Sequence, residues 1–187
     1  MKTLLVILLF PIVTFGQTVV TFDELSKFDS YMDSVLTNFS DDSLNVYFAK
    51  EYNEYLISKK LDSVSYSENL LVVCKDQSDY CLKNNVISHN QPTQEKENSI
   101  KRAEYYKKQE ILLGENMSAK SNLFLFIDAI KQHKSFYEVL SEDLIKRWSD
   151  SPGHNKNLLR GSDGIYSLGV SINKEKLVAC LLVGYQL

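Results

Sequence analysis

Trp148-Ser149-Asp150-Ser151-Pro152-Gly153-His154-Asn155-Lys156-Asn157-Leu158-Leu159 compresses a helix end, a tight restart and a histidine into twelve residues. Trp148 closes an amphipathic run. Ser151-Pro152 forbids its continuation, because the residue before a proline is pushed out of the α region. Ser151 is a good N-cap for a new short helix, and Pro152 suits that helix's first position. His154 then sits in the first turn, near exposed backbone N–H groups and the positive end of the helix dipole. That setting disfavours imidazolium and favours the neutral ring, which binds metals or accepts hydrogen bonds.

Upstream of this corner the apolar periodicity is mostly helical. Leu25, Phe28, Met32, Val35, Leu36 and Phe39 define a helix over 22–39, with Thr21 and Glu24 as a capping box. A second helix spans about 44–60, with Phe48, Ala49, Tyr52, Leu56 and Ile57 inward and Asn53 bonding backbone in the core. Ser65 and Glu68 form another capping box for a third helix that reaches Asn84. Leu70, Leu71, Cys74, Ser78, Cys81 and Leu82 line its inner side, small enough for close packing on a sheet. The polar run 90–98 reads as a surface loop, and 99–108 as a short polar helix. Ile111-Leu112-Leu113 reads as a short strand that Gly114 ends, so that Glu115 emerges at its tip. Ser121 starts one helix, and Ser135 with Glu138 caps the next.

Downstream, Tyr166–Ile172 alternates strictly: Leu168, Val170 and Ile172 on one side, Ser167, Gly169 and Ser171 on the other. Asn173–Lys176 is a hairpin turn, and Leu177–Tyr185 is apolar on both faces, as befits the middle of three layers. Early helices and a late hairpin give an α+β class, an α-β-α sandwich.

The first sixteen residues, with Lys2, an unbroken apolar core and small residues near Thr14 to Gly16, fit a secretory signal peptide and not a permanent membrane anchor. The mature chain then starts near Gln17, and removing Lys2 takes the formal charge from −3 to −4. The basic residues are scattered, and the densest group, Lys101-Arg102 with Lys107-Lys108, lies on the short polar helix. No electrostatic footprint for nucleic acid emerges. Three cysteines, Cys74, Cys81 and Cys180, cannot all pair internally. Cys74 and Cys81, two turns apart at about 10 Å, are too distant for a disulfide within one helix. Either one of them meets Cys180, or all three are small buried hydrophobes.

Asn53-Glu54-Tyr55, Ile87-Ser88-His89, Gly114-Glu115-Asn116, the stretch from Trp148 to Leu159 and the two-stranded end together resemble the CAP family. This family comprises the cysteine-rich secretory, antigen 5 and pathogenesis-related proteins. The resemblance covers residues 44–187, with 17–43 as an N-terminal helical extension, and the Ser-Pro-Gly-His form is similar to bacterial members. It implies a three-layer α-β-α sandwich with a small central antiparallel sheet, secreted to the periplasm or the outside. It also implies a cleft in which His89, Glu115 and His154 match the family's histidine, glutamate and histidine, with Ser151 and Asn116 beside them. Many relatives keep a second glutamate where this chain has Ser151.

Two imidazoles and a carboxylate are a workable set for a divalent metal such as zinc, with a position left for water. Without metal, the same trio is a polar cluster tying a strand, a loop and a short helix together. The function expected is therefore a binding module for a small ligand, lipid, peptide or divalent metal. The alternatives are a hydrolase using a metal-bound water with Glu115 as base, and a purely architectural role. No Gly-x-Ser-x-Gly, His-Glu-x-x-His, P-loop or Gly-x-Gly-x-x-Gly motif occurs. Asn38-Phe39-Ser40 and Asn116-Met117-Ser118 match the glycosylation triplet.

Overall fold

The computed structural model describes residues 22–187. The leader, the start near Gln17, the Thr21–Glu24 capping box and the side chains of Leu25 and Leu123 lie outside what it describes. Helices α1 (Phe22–Asn38) and α2 (Asp41–Ser58) come first, then the two-residue strand β1 (Ser65–Tyr66) and a 3-10 turn leading into α3 (Leu71–Asn84). Next follow α4 (Ser99–Tyr105), β2 (Ile111–Ser121), α5 (Asn122–Gln132), α6 (Phe136–Ser149), α7 (Pro152–Arg160), β3 (Ile165–Ile172) and β4 (Lys176–Tyr185).

The sheet order is β1-β3-β4-β2, with β3, β4 and β2 antiparallel and β1 added parallel at the edge of β3. Two cores flank it, which makes the three layers expected of the α-β-α sandwich. One joins α1, α2, α5, α6 and α7 to Tyr166, Leu168, Val170, Leu181 and Val183. The other joins α3 and α4 to Met117, Val178, Cys180 and Leu182. Both faces of β4 are therefore covered, as its unbroken apolar sequence requires. The small-residue side of β3 receives α3 directly: a Cβ on Gly169 would lie 2.6 Å from the Lys75 amide nitrogen. Cys74, Cys81 and Cys180 are buried free thiols.

Several local readings need correction. Ser65 does not cap α3; it pairs with Ile165 in β1, a contact between residues one hundred apart that local sequence cannot encode. Gly114 does not end β2, which runs on to Ser121, because a bulge at Leu113 absorbs the irregularity. Ile57 is 61% exposed, since the buried stripe Leu44, Phe48, Tyr52, Leu56 recurs every fourth residue and turns away from it. Asn116 is wholly buried, so its glycosylation triplet is closed to modification in the folded chain. Asn53, by contrast, bonds the backbone of Val64 through both ends of its amide, as the sequence suggests.

Beyond β1, the free edge of β3 is satisfied by side chains of α2. Asn45 exchanges hydrogen bonds with the Leu168 amide and carbonyl, and Asp41 accepts from the Val170 amide. Phe28 and Met32 seat α1 in the same core, with Phe28 edge-on to Phe126 at 5.7 Å.

Candidate functional site

The bulge in β2 decides where the site forms. A one-residue slip in a strand exchanges its faces. After Leu113, Glu115 pairs with Leu182 and Asn116 with Leu181. Glu115 thereby points into the layer of α3 and α4, and Asn116 into the layer of α7. Gly114 fits at the bulge because Asn157 of α7 lies over it: a Cβ there would stand 2.6 Å from the Asn157 side chain. Asn157 donates to the Glu115 carbonyl at 3.2 Å and to Asn116 Oδ1 at 2.9 Å, and Asn116 donates to the His154 carbonyl at 3.0 Å. Two asparagines thus fasten α7 to β2. Two tyrosines of α2 hold it from behind, Tyr52 donating to the Leu158 carbonyl at 2.6 Å and Tyr55 to Asn155 Oδ1.

His89 arrives from the other layer. The polar run before α4 is longer on contacts than its composition implies, for Asp76 and Gln77 of α3 pin it. Asp76 accepts from Lys96 at 2.7 Å and from Gln91 at 2.8 Å, and Gln77 donates to the Ser88 carbonyl at 2.5 Å. So held, the His89 side chain stays 56% exposed while its Nδ1 meets Glu115 Oε1 at 2.8 Å.

The other carboxylate oxygen of Glu115 is engaged by Arg102, whose Nη2 donates to Oε2. Arg102 is fully buried, and its second Nη donates to the carbonyls of His89 at 3.1 Å and Lys96 at 3.4 Å. It sits with Ala103 on the inner face of α4, not on an outward polar face as the sequence suggests. The helical spacing of Arg102, Ala103 and the half-buried Tyr106 carried that signal, but a basic residue next to another basic residue reads as solvated.

His154 lies in the first turn of α7, half-buried. Burial lowers its pKa, with the nearby charges of His89 and Arg147 adding to the effect, so the neutral ring is favoured as the sequence indicates. The hydrogen bond to Glu115 raises the His89 pKa above the ordinary 6.5, against the opposing pull of its partial burial. Ser151 is the N-cap by backbone alone: its carbonyl accepts from the Asn155 amide at 2.8 Å, and its hydroxyl caps nothing. Asn116 builds the wall and does not line it. His89 and Glu115 are in contact, and the His154 carbonyl is tied to Asn116 of β2 with its ring within electrostatic reach of His89, while Ser151 and Asn116 serve as scaffold.

The two histidines oppose each other in pH dependence. A group with a raised folded pKa contributes stability that is complete at low pH and lost as pH climbs through that pKa; a base with a lowered one loses stability as pH falls below its unfolded value. Between about pH 5 and about pH 8, the stability lost in His89→Gln relative to the parent is expected to shrink as pH rises. His154→Gln is expected to remove part of the parent's own loss toward acid. Urea titrations across that range check both, and parallel pH profiles for all three proteins would contradict them.

A divalent metal fits these residues poorly. One Glu115 oxygen faces a guanidinium and the other an imidazole nitrogen. Among the described residues no three His, Cys, Asp or Glu side chains stand in a ligating group.

Comparison with known proteins agrees with the architecture. The family model described as "CAP: Cysteine-rich secretory protein family" matches residues 50–176. An extracellular protein containing a SCP domain from Bacillus anthracis str. Ames superposes with a TM-score of 0.50 at 18% identity, over 89% of this chain and 45% of that one. The chain therefore spans less than half of that protein. An outer surface protein from Borrelia burgdorferi superposes with a TM-score of 0.53 at 13% identity, over 92% of this chain and all of that one. No curated protein matches the sequence.

Proposed function

Because the chain belongs to the CAP family, we propose that it is a secreted binding module that holds a small ligand, lipid or peptide at the site formed by His89, Glu115 and His154. The observation that carries this reading is an exposed imidazole, His89, fixed through Nδ1 by a buried carboxylate. Among the described residues its remaining nitrogen meets no partner, so it can take a ligand without reorganisation, and preorganised polar groups of this kind give a site its orientation and specificity. His154, within electrostatic reach, adds a second ring that can accept or donate. Hydrolysis through a metal-bound water needs a Glu115 oxygen to act as base, and both are already engaged, so the arrangement favours binding.

In this reading residues 44–187 are the binding domain and 17–43 an extension, whose helix α1 packs on the domain through Phe28 and Met32. Residues 1–16 direct export; N-terminal sequencing of the released protein is expected to begin near Gln17, and an intact Met1 there would contradict this. Among the described residues no helix is long and apolar enough to cross a membrane.

Thermal melting of the purified protein with a panel of fatty acids, phospholipids and short peptides tests the reading. At least one is expected to raise the melting temperature, by an amount that grows with its concentration. His154→Ala and His89→Ala are expected to abolish that rise while remaining folded. A panel without effect on the parent, or a rise that survives both substitutions, would overturn it.

A further inference from the structure

Arg102 is the residue of this site that neither its exposure nor its neighbours in sequence announce. Its side chain is entirely buried against Glu115, itself 5% exposed. Its Nε has no hydrogen-bond partner among the described residues. Burial of an ion pair rarely repays its desolvation, and an unpaired buried donor adds to the cost. Stability alone is therefore a weak reason for the pair.

Its placement suggests another. The guanidinium takes Glu115 Oε2, and His89 takes Oε1. A divalent ion bound to this carboxylate would meet a fixed positive charge within contact distance, in surroundings that screen it little. Ser151, at the corner before α7, offers no carboxylate in compensation. Cys180 adds a wholly buried thiol, its Sγ 3.7 Å from Oε2, on the same side of the carboxylate as the guanidinium.

We propose that Arg102 is the built-in cation of this site: its guanidinium occupies the place on Glu115 that a divalent metal needs, and the site operates without metal. The inference shares its location with the binding reading above but does not depend on the ligand, so a failed ligand panel leaves its test intact.

The test compares melting of the parent, Arg102→Met and Arg102→Met/Glu115→Gln in zinc chloride and in chelator. The parent is expected to melt alike in both. Arg102→Met is expected to melt lower in chelator and to regain part of the difference in zinc, a response lost when Glu115→Gln is added. One zinc bound per parent molecule and lost in His89→Ala would overturn the proposal. So would a folded Arg102→Met as indifferent to zinc as the parent. If Arg102→Met does not fold, Arg102→Lys, which keeps the charge, is expected to remain indifferent to zinc; a zinc response in it would overturn the proposal too.

Discussion

Arg102→Met is expected to lower folding stability by about 3–5 kcal/mol, the range seen when one partner of a buried ion pair is removed. Three acceptors lose the guanidinium at once: Glu115 Oε2 and the carbonyls of His89 and Lys96. The carboxylate, left at 5% exposure with His89 and the Cys180 thiol as its remaining partners, bears most of the penalty. The loop carrying His89 should loosen as well, since Arg102 is the link between its carbonyl and α4. Adding Glu115→Leu removes the stranded charge, and the double variant is expected to recover much of the loss. Urea titration of the four proteins in this cycle reads both effects. A double variant as unstable as the sum of the singles would mean that the ion pair was never coupled, and the picture of Glu115 as a clamped carboxylate would fail.

Trp148→Ala is expected to cost a similar amount, about 3–5 kcal/mol, for a different reason. The indole is 1% exposed and stands edge-on to Phe48 at 6.1 Å, within the aromatic group that includes Tyr52 and Tyr166. Its Nε1 donates to the Met117 carbonyl at 3.3 Å, joining the end of α6 to β2 two residues from Glu115. Truncation leaves a cavity and an orphan carbonyl together. Trp148→Phe keeps most of the volume and should cost clearly less. Equal losses for the two variants would show that the hydrogen bond, not the packing, carries the effect.

Much of the fold was legible because its signals are local and repetitive. Period-four stripes located the helices. Ser167, Gly169 and Ser171 marked the side of β3 that admits α3, and the apolar run of β4 required cover on both faces. The corner at Ser151-Pro152 set the start of α7, and with it the position of His154. What the sequence withheld is long-range. β1 exists only through Ile165 and Tyr166. The bulge at Leu113 becomes visible only when β2 is laid beside β4, and it decides that Glu115 enters the layer of α3 and α4 and Asn116 that of α7. Arg102 was hidden by its chemistry, because a charged residue on a short helix is ordinarily solvated. Only the partner at Glu115 makes its burial tolerable.

The pattern Gly114-Glu115-Asn116 with His154-Asn155-Lys156-Asn157 also gains a physical reading. Gly114 makes room for Asn157, Asn116 and Asn157 bind β2 to α7, and Asn155 is anchored by Tyr55. Most of the motif is carpentry that brings His154 to the edge of β2. Of the pattern's side chains, the binding reading proposed above rests on Glu115, which fixes His89, and on His154.

A high-resolution crystal structure of the protein soaked in zinc tests the central claim most directly. The guanidinium of Arg102 is expected to remain on Glu115 with His89 on the opposite oxygen, and no metal is expected on the carboxylate. A zinc ion bound to Glu115 and His89, with Arg102 displaced, would contradict it.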